Sequence, residues 1–176
     1  TGDSGVTGAQ QFILEDVARQ VERYGKDTAF FCTNCSMQEP LIREVYETGA
    51  IYTLQCCPSP FHAIPAALNI DMADHAADVD YLIEQVKAKT AEMEMSGRVS
   101  TWKVPLSMLN IAGGVEYAIK ILDGETNGIV DDAVLSQTLQ DCAKEIWGSE
   151  ITIAKYTENG VEVPHHYMLQ SSFVDF

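Results

Sequence analysis

The chain has 176 residues, 46% apolar and 21% charged, which fits an ordinary globular domain with a sizeable core. Its 26 acidic residues against 11 basic ones give a net charge of −15, which argues against nucleic acid or an anionic lipid surface as partner, because both are gripped by clustered Lys and Arg. No run of eighteen apolar residues occurs, so no membrane-inserted segment is expected, and the opening residues do not read as a secretion signal.

The chain begins with an amphipathic helix over Val6–Tyr24, whose apolar stripe is Phe12, Ile13, Leu14, Val17, Ala18, Val21 and Tyr24. Gly25-Lys26-Asp27 ends it. The stretch from Asp27 to Pro60 then reads strand, polar turn, helix, strand, polar turn. Phe30, Phe31, Ile51, Tyr52 and Leu54 form short apolar runs suited to strands buried on both faces. Between them Leu41, Ile42, Val45 and Tyr46 recur at helical spacing, and Gly49 stands where a helix stop is expected. A strand-helix-strand of this length implies a right-handed crossover and a parallel pair. Both strands then end at one edge. Thr33-Asn34-Cys35 and Gln55-Cys56-Cys57-Pro58-Ser59 are thereby placed side by side, where open α/β sheets bind ligands.

Pro58 to Pro65 is a rigid turn, and Ala66–Ala77 reads as either a short helix or a loop. Asp78 is positioned to cap a helix running to about Met95, with Gly97 as its stop. Arg98–Val104 alternates weakly and reads as a strand whose end again faces a site. Leu106–Leu122 is the next helix, and its internal Gly113-Gly114 calls for close packing against a sheet. Asp131 caps a helix to Trp147. Ile151–Tyr156 and Val161–Val163 flank Glu158-Asn159-Gly160, a hairpin signal, and Tyr167–Phe173 continues as strand.

Five cysteines occur, at 32, 35, 56, 57 and 142, too few and too odd in number for a disulfide scaffold. Three readings of Cys32, Cys35, Cys56 and Cys57 stand side by side. A metal site needs thiolates that converge, whereas an adjacent pair on a strand points to opposite faces. A redox motif needs Cys-x-x-Cys opening a helix with a lowered thiol pKa, and Cys32 belongs inside the strand. As buried small hydrophobes, the same residues also allow one disulfide, from Cys35 to Cys56 or Cys57. His62, His75, His165 and His166 do not show metal-binding spacing, Glu39 reads as a carboxylate favoured by a helix N-terminus, and Ser36 and Ser59 lack a nucleophile elbow. No catalytic residue and no cofactor is expected.

Three blocks carry a family resemblance: Ala29 to Met37 continuing through Tyr46-Glu-Thr-Gly49, then Ile51 to Ser59, then Gly113-Gly-Val-Glu-Tyr-Ala-Ile-Lys-Ile-Leu-Asp-Gly-Glu125. In order and spacing they resemble the C-terminal half of the type I periplasmic solute-binding proteins. Over most of residues 5–125 the chain is similar, more specifically, to an uncharacterised family of Firmicute extracellular proteins with Phe-Cys-Thr-Asn-Cys and Gln-Cys-Cys-Pro-Ser-Pro segments. The resemblance implies an α/β fold with a three-layer parallel-sheet lobe and a C-terminal β-hairpin. Residues 1–97 would supply the latter part of the second lobe. Residues 98–176 would supply the hinge crossing, helices of the first lobe and the hairpin. The first lobe's opening elements are not in the sequence, so the chain is expected to be a piece of a longer two-lobe protein whose precursor carries a signal or lipid anchor.

The function implied is non-enzymatic capture of a small polar ligand by hinge closure, outside the cell or in its envelope, with a membrane transporter as partner. Asn34 falls where the family places a ligand-binding Asn. Cys56 or Cys57 stands where the family often has a sugar-binding Asp, and Lys103 or Trp102 lies near a hinge Gln. The expected ligand contacts are Asn34, Gln38, Gln55, Ser59, Trp102 and Lys103, and no metal is expected. Two other functions compete: a thiol or metal protein built on Cys32, Cys35, Cys56 and Cys57, and a ligand sensor that keeps the fold without transport.

Overall fold

The computed structural model describes residues 4–176; Thr1-Gly2-Asp3, the start of the expected second-lobe segment, lies outside them. The fold is mixed α/β with small sheets, in two compact units. One comprises the described residues up to Trp102 together with Phe173–Phe176, and the other is Lys103–Ser172. The chain passes between them twice, after Trp102 and again before Phe173.

In the first unit, α1 (Gly5–Tyr24) leads to β1 (Ala29–Phe30), a 3-10 turn (Cys35–Met37), α2 (Gln38–Thr48) and β2 (Ile51–Tyr52). Gly49 ends α2 at φ 73°, a left-handed conformation that glycine adopts without strain, and its N–H reaches the Val45 carbonyl at 3.0 Å. β1 and β2 pair in parallel, Ala29 with Ile51 and Phe30 with Tyr52. The ambiguous stretch resolves into a single short helix, α3 (Ile64–Leu68), followed by irregular chain. Next come α4 (Val79–Glu92), capped by Asp78 Oδ1 accepting from Tyr81 N–H at 3.0 Å, and β3 (Ser100–Trp102).

A parallel bridge from Tyr52 to Val99 sets β3 beside β2. The far side of β3 pairs antiparallel with Phe173–Asp175, the chain's last strand. The large three-layer parallel sheet expected from the sequence is not what forms among the described residues. Beyond residues 30 and 52, side chains take the carbonyls that a longer ladder would use. Gln38 Nε2 donates to the carbonyls of Cys32 and Asn34 at 2.8 and 3.4 Å, and Ser100 Oγ donates to that of Thr53 at 2.5 Å. Burial on both strand faces also fails. Tyr52 is buried on the Phe30–Tyr52 face, but Ala29 and Phe31, on the other, are exposed, Phe31 by 58%.

The core lies on α2 and α4. Leu41, Ile42, Val45 and Tyr46 are buried, as are Ile64, Leu82, Val86, Met95 and Val99. Tyr46 donates its hydroxyl to Thr90 Oγ1 at 2.7 Å, and Thr90 Oγ1 in turn donates to the Val86 carbonyl at 2.7 Å. The stripe on α1 is only partly covered: Val17 is buried and Ile13, Leu14 and Val21 half-buried, whereas Phe12, Ala18 and Tyr24 are exposed. Arg98 ties the amino ends of the strands together. Its Nε donates to the Gly49 carbonyl at 2.9 Å, and its Nη2 to the Lys26 carbonyl at 2.6 Å and Asp27 Oδ1 at 2.9 Å.

The second unit holds α5 (Leu106–Leu122), α6 (Asp132–Trp147) and a hairpin of β4 (Ile151–Glu158) and β5 (Val161–Ser171). Asn159 and Gly160, at φ 51° and 80°, make its turn, in keeping with the sequence signal. The strand expected from Tyr167 is part of β5, which runs unbroken from Val161, and β6 (Phe173–Asp175) departs to the first unit. Gly113 packs against a helix, not a sheet. A Cβ there would overlap the Leu139 side chain of α6, whereas one on Gly114 would meet open space.

Candidate functional site at the carboxyl edge of β1 and β2

The carboxyl ends of β1 and β2 open into loops 31–37 and 53–62. Asn34 caps the 3-10 turn. Its Oδ1 accepts from the backbone N–H of Ser36 at 3.0 Å and from Ser36 Oγ at 2.6 Å. Its Nδ2 carries no hydrogen bond to a described residue, and the side chain is exposed. Gln38 is fully buried. Besides holding the Cys32 and Asn34 carbonyls, it accepts the Tyr52 hydroxyl on Oε1 at 2.6 Å. Desolvation drives the Tyr52 phenol far above its ordinary pKa, so it remains a neutral donor.

Gln55 does for the second loop what Gln38 does for the first. It is buried, donates Nε2 to the His62 carbonyl at 3.3 Å, and accepts Thr101 Oγ1 on Oε1 at 2.6 Å. Ser59 Oγ accepts from Phe61 N–H at 3.1 Å within the proline turn. Trp102 stands at the end of β3 with its ring edge-on to Phe173, centroids 6.4 Å apart, and its buried Nε1–H has no partner among the described residues. The fold therefore brings Asn34, Gln38, Gln55, Ser59 and Trp102 into the first unit at the strand ends. Asn34 Nδ2 and Trp102 Nε1 keep donors to spare, while Gln38 and Gln55 are already engaged. Lys103 belongs to the second unit.

The two loops also bring sulfur together. Cys35 Sγ lies 3.4 Å from Cys56 Sγ and 3.7 Å from Cys57 Sγ. All five cysteines are free thiols. Cys32 turns aside and donates to the Asn34 carbonyl at 3.6 Å, so the Cys-x-x-Cys pair does not face itself. The expectation that Cys56 and Cys57 diverge assumed a strand, but β2 ends at Tyr52 and both residues sit in a bend, where both thiols turn toward Cys35. His62 joins them: ligand atoms of Cys35, Cys56 and His62 all lie within 4.8 Å of one another. His62 Nδ1 is 3.1 Å from the Cys57 carbonyl, to which it can only donate, so in the neutral imidazole the lone pair is on Nε2.

Hydrogen bonds with Cys56 and then Cys57 push the Cys35 thiol up to about 11, opposite to the lowered pKa of a reactive redox cysteine. His62, which lacks metal-binding spacing to the other histidines in the sequence, instead lies beside the thiols. The available signal was its fixed distance from Cys56-Cys57 across a turn stiffened by Pro58 and Pro60.

Residues 1–100 match the model of a family described as protein of unknown function (DUF3798). No curated protein matches the chain. Among solved structures, a proposed transcriptional regulator from Clostridium difficile 630 is similar over 98% of this chain and 48% of its own, with a TM-score of 0.75 and 21% identity. The chain thus spans about half the length of that structure, and a likeness at this identity is one of fold. By the extent of the family match, the chain belongs to the DUF3798 family of proteins of unknown function.

Proposed function

We propose that this chain is the ligand-gathering part of a solute-binding protein of the cell envelope, one that captures a small polar molecule without converting it. The carrying observation is the edge itself: two parallel strands end together, and their loops are braced from beneath by Gln38 and Gln55. Open α/β folds place ligands at such edges. Asn34 Nδ2 is the exposed donor free to orient a polar ligand, and the half-buried Trp102 ring supplies an apolar face. β3 and β6, where the chain crosses between its units, suit a hinge. On this reading a transporter in the membrane receives the ligand from the intact protein.

A sensor is the second reading, favoured by the fold shared with a proposed transcriptional regulator. Both readings require the same event, binding of a small molecule. A thermal-shift screen of sugars, amino acids and small organic acids tests them together. A ligand at about 100 times its Kd adds about 2.7 kcal/mol, which raises Tm by roughly 5–10 °C for a protein of this size. A screen in which no compound moves Tm would refute both.

A further inference from the structure

We propose that Cys35, Cys56, Cys57 and His62 form a tetrahedral site for a zinc-class divalent cation. The inference stands apart from solute capture, because it uses none of the donors assigned to the ligand. It begins with spacing. A tetrahedral zinc with Zn–S bonds of ~2.3 Å holds its sulfurs ~3.8 Å apart. Cys35 Sγ already lies 3.7 Å from Cys57 Sγ and 3.4 Å from Cys56 Sγ, and a ring nitrogen of His62 completes a set within 4.8 Å of Cys35 and Cys56. Cys35, Cys56 and His62 already converge, and Cys57, in reach of Cys35, would supply the fourth corner.

The surroundings are those of a metal site. Metal-bound imidazoles characteristically donate their second nitrogen to a carbonyl or carboxylate, which fixes the ring. His62 Nδ1 does this to the Cys57 carbonyl and presents Nε2. Each ligand-bearing loop is braced by a buried amide: Gln55 grips the His62 carbonyl, and Gln38 grips the Cys32 and Asn34 carbonyls on either side of Thr33. Cys35 is exposed, so a cation has a path in. Binding releases the three thiol protons to solvent, while His62 binds as the neutral base. Three thiolates and an imidazole are soft and borderline donors, which select zinc over magnesium or calcium.

A single disulfide accounts less well for this geometry. Cys56 and Cys57 lie nearly equally far from Cys35, so either pairing leaves the other thiol and His62 without a role.

Cobalt(II) titration of the reduced, metal-free protein provides the test. One equivalent should produce a thiolate-to-cobalt charge-transfer band and the intense visible bands of tetrahedral cobalt, both abolished by zinc. Cys35→Ser and His62→Ala should each weaken binding by more than about 100-fold, beyond the 10–100-fold typical of outer-shell partners. Cys32→Ser and Cys142→Ser should leave it unchanged. If a site variant fails to fold, alkylation of the unaltered protein decides: zinc should shield Cys35, Cys56 and Cys57 while Cys32 still reacts. Weak octahedral cobalt spectra, equal affinity in Cys35→Ser, or protection absent from all three thiols would overturn the proposal. So would a Cys35–Cys56 or Cys35–Cys57 disulfide in protein purified without reductant, if the reduced form then binds no cobalt.

Discussion

Tyr52 donates its buried hydroxyl to Gln38 Oε1 at 2.6 Å, and through that bond the β2 strand holds the loop that follows β1. Gln38 is the hub, since its Nε2 reaches two carbonyls of that loop. Gln38→Ala should cost about 2–4 kcal/mol in denaturant unfolding, because it strands a buried hydroxyl and a carbonyl at once. Tyr52→Phe keeps the ring and should cost about 1 kcal/mol. The double variant should fall well short of the sum, as coupled partners do. Strict additivity would show that the bond does not carry the loop.

Arg98, half-buried, should be the most sensitive cation of the first unit. It donates to two backbone carbonyls and to Asp27 from one end of the β1–β2 pair. Arg98→Ala should lower stability by about 1–3 kcal/mol, the range for hydrogen bonds from a charged group. Arg98→Lys should recover little of this, since one ammonium cannot span the Gly49 and Lys26 carbonyls as the guanidinium does. Asp27→Ala should cost far less, because that carboxylate is 92% exposed and its ion pair is solvent-screened.

Adjacent glycines in α5 should respond with opposite sign. Gly114→Ala places a methyl in open space and should stabilise by up to about 1 kcal/mol through helix propensity. Gly113→Ala forces Leu139 to move and should destabilise by about 1–3 kcal/mol. Thermal unfolding of the two variants checks this. Equal shifts would contradict the packing of α5 on α6.

The helix caps give the protein a defined acid limb. Backbone hydrogen bonds, from Tyr81 to Asp78 and from Asn127 and Val134 to Asp131, hold both carboxyls below the ordinary carboxylate range. Asp132 is held down as well, first by Lys155 and then by the Tyr167 hydroxyl. A depressed folded pKa contributes stability that is present above the unfolded value and is lost as pH falls through the folded one. Tm should therefore be flat near neutrality and drop on acidification below the ordinary Asp range. Asp131→Ala should lower Tm at pH 7 and have little further effect at the acid end. A constant Tm difference at all pH values would argue against the cap.

Much of the local structure was legible because it rests on short-range chemistry. Asp78 and Asp131 cap the helices they were expected to cap, Gly49 stops α2, and Asn159-Gly160 turns the hairpin. The parallel β1–β2 pair follows from one crossover helix between two apolar runs. What did not follow depends on distant partners. Nothing in Phe173–Asp175 announces that it will pair with β3 across about seventy residues of chain. The brevity of the strands depends on Gln38 and Ser100 taking carbonyls from a ladder, and a glutamine in sequence looks the same whether it meets a ligand or a backbone. The convergence of the thiols did not follow for one local reason: neighbours on a strand diverge, whereas residues 56 and 57 stand in a bend, where both turn toward Cys35.

The most direct measurement is amide-resolved NMR of the protein with pooled sugars, amino acids and small organic acids, repeated on Asn34→Asp. That substitution keeps an acceptor for Ser36 while removing the Nδ2 donor. Solute capture at the carboxyl edge requires shifts that cluster in residues 31–37, 53–62 and 100–102 and that weaken by at least about tenfold in affinity in the variant, the equivalent of about 1.4 kcal/mol. Shifts confined to α5 and α6, or binding unchanged by Asn34→Asp, would contradict it.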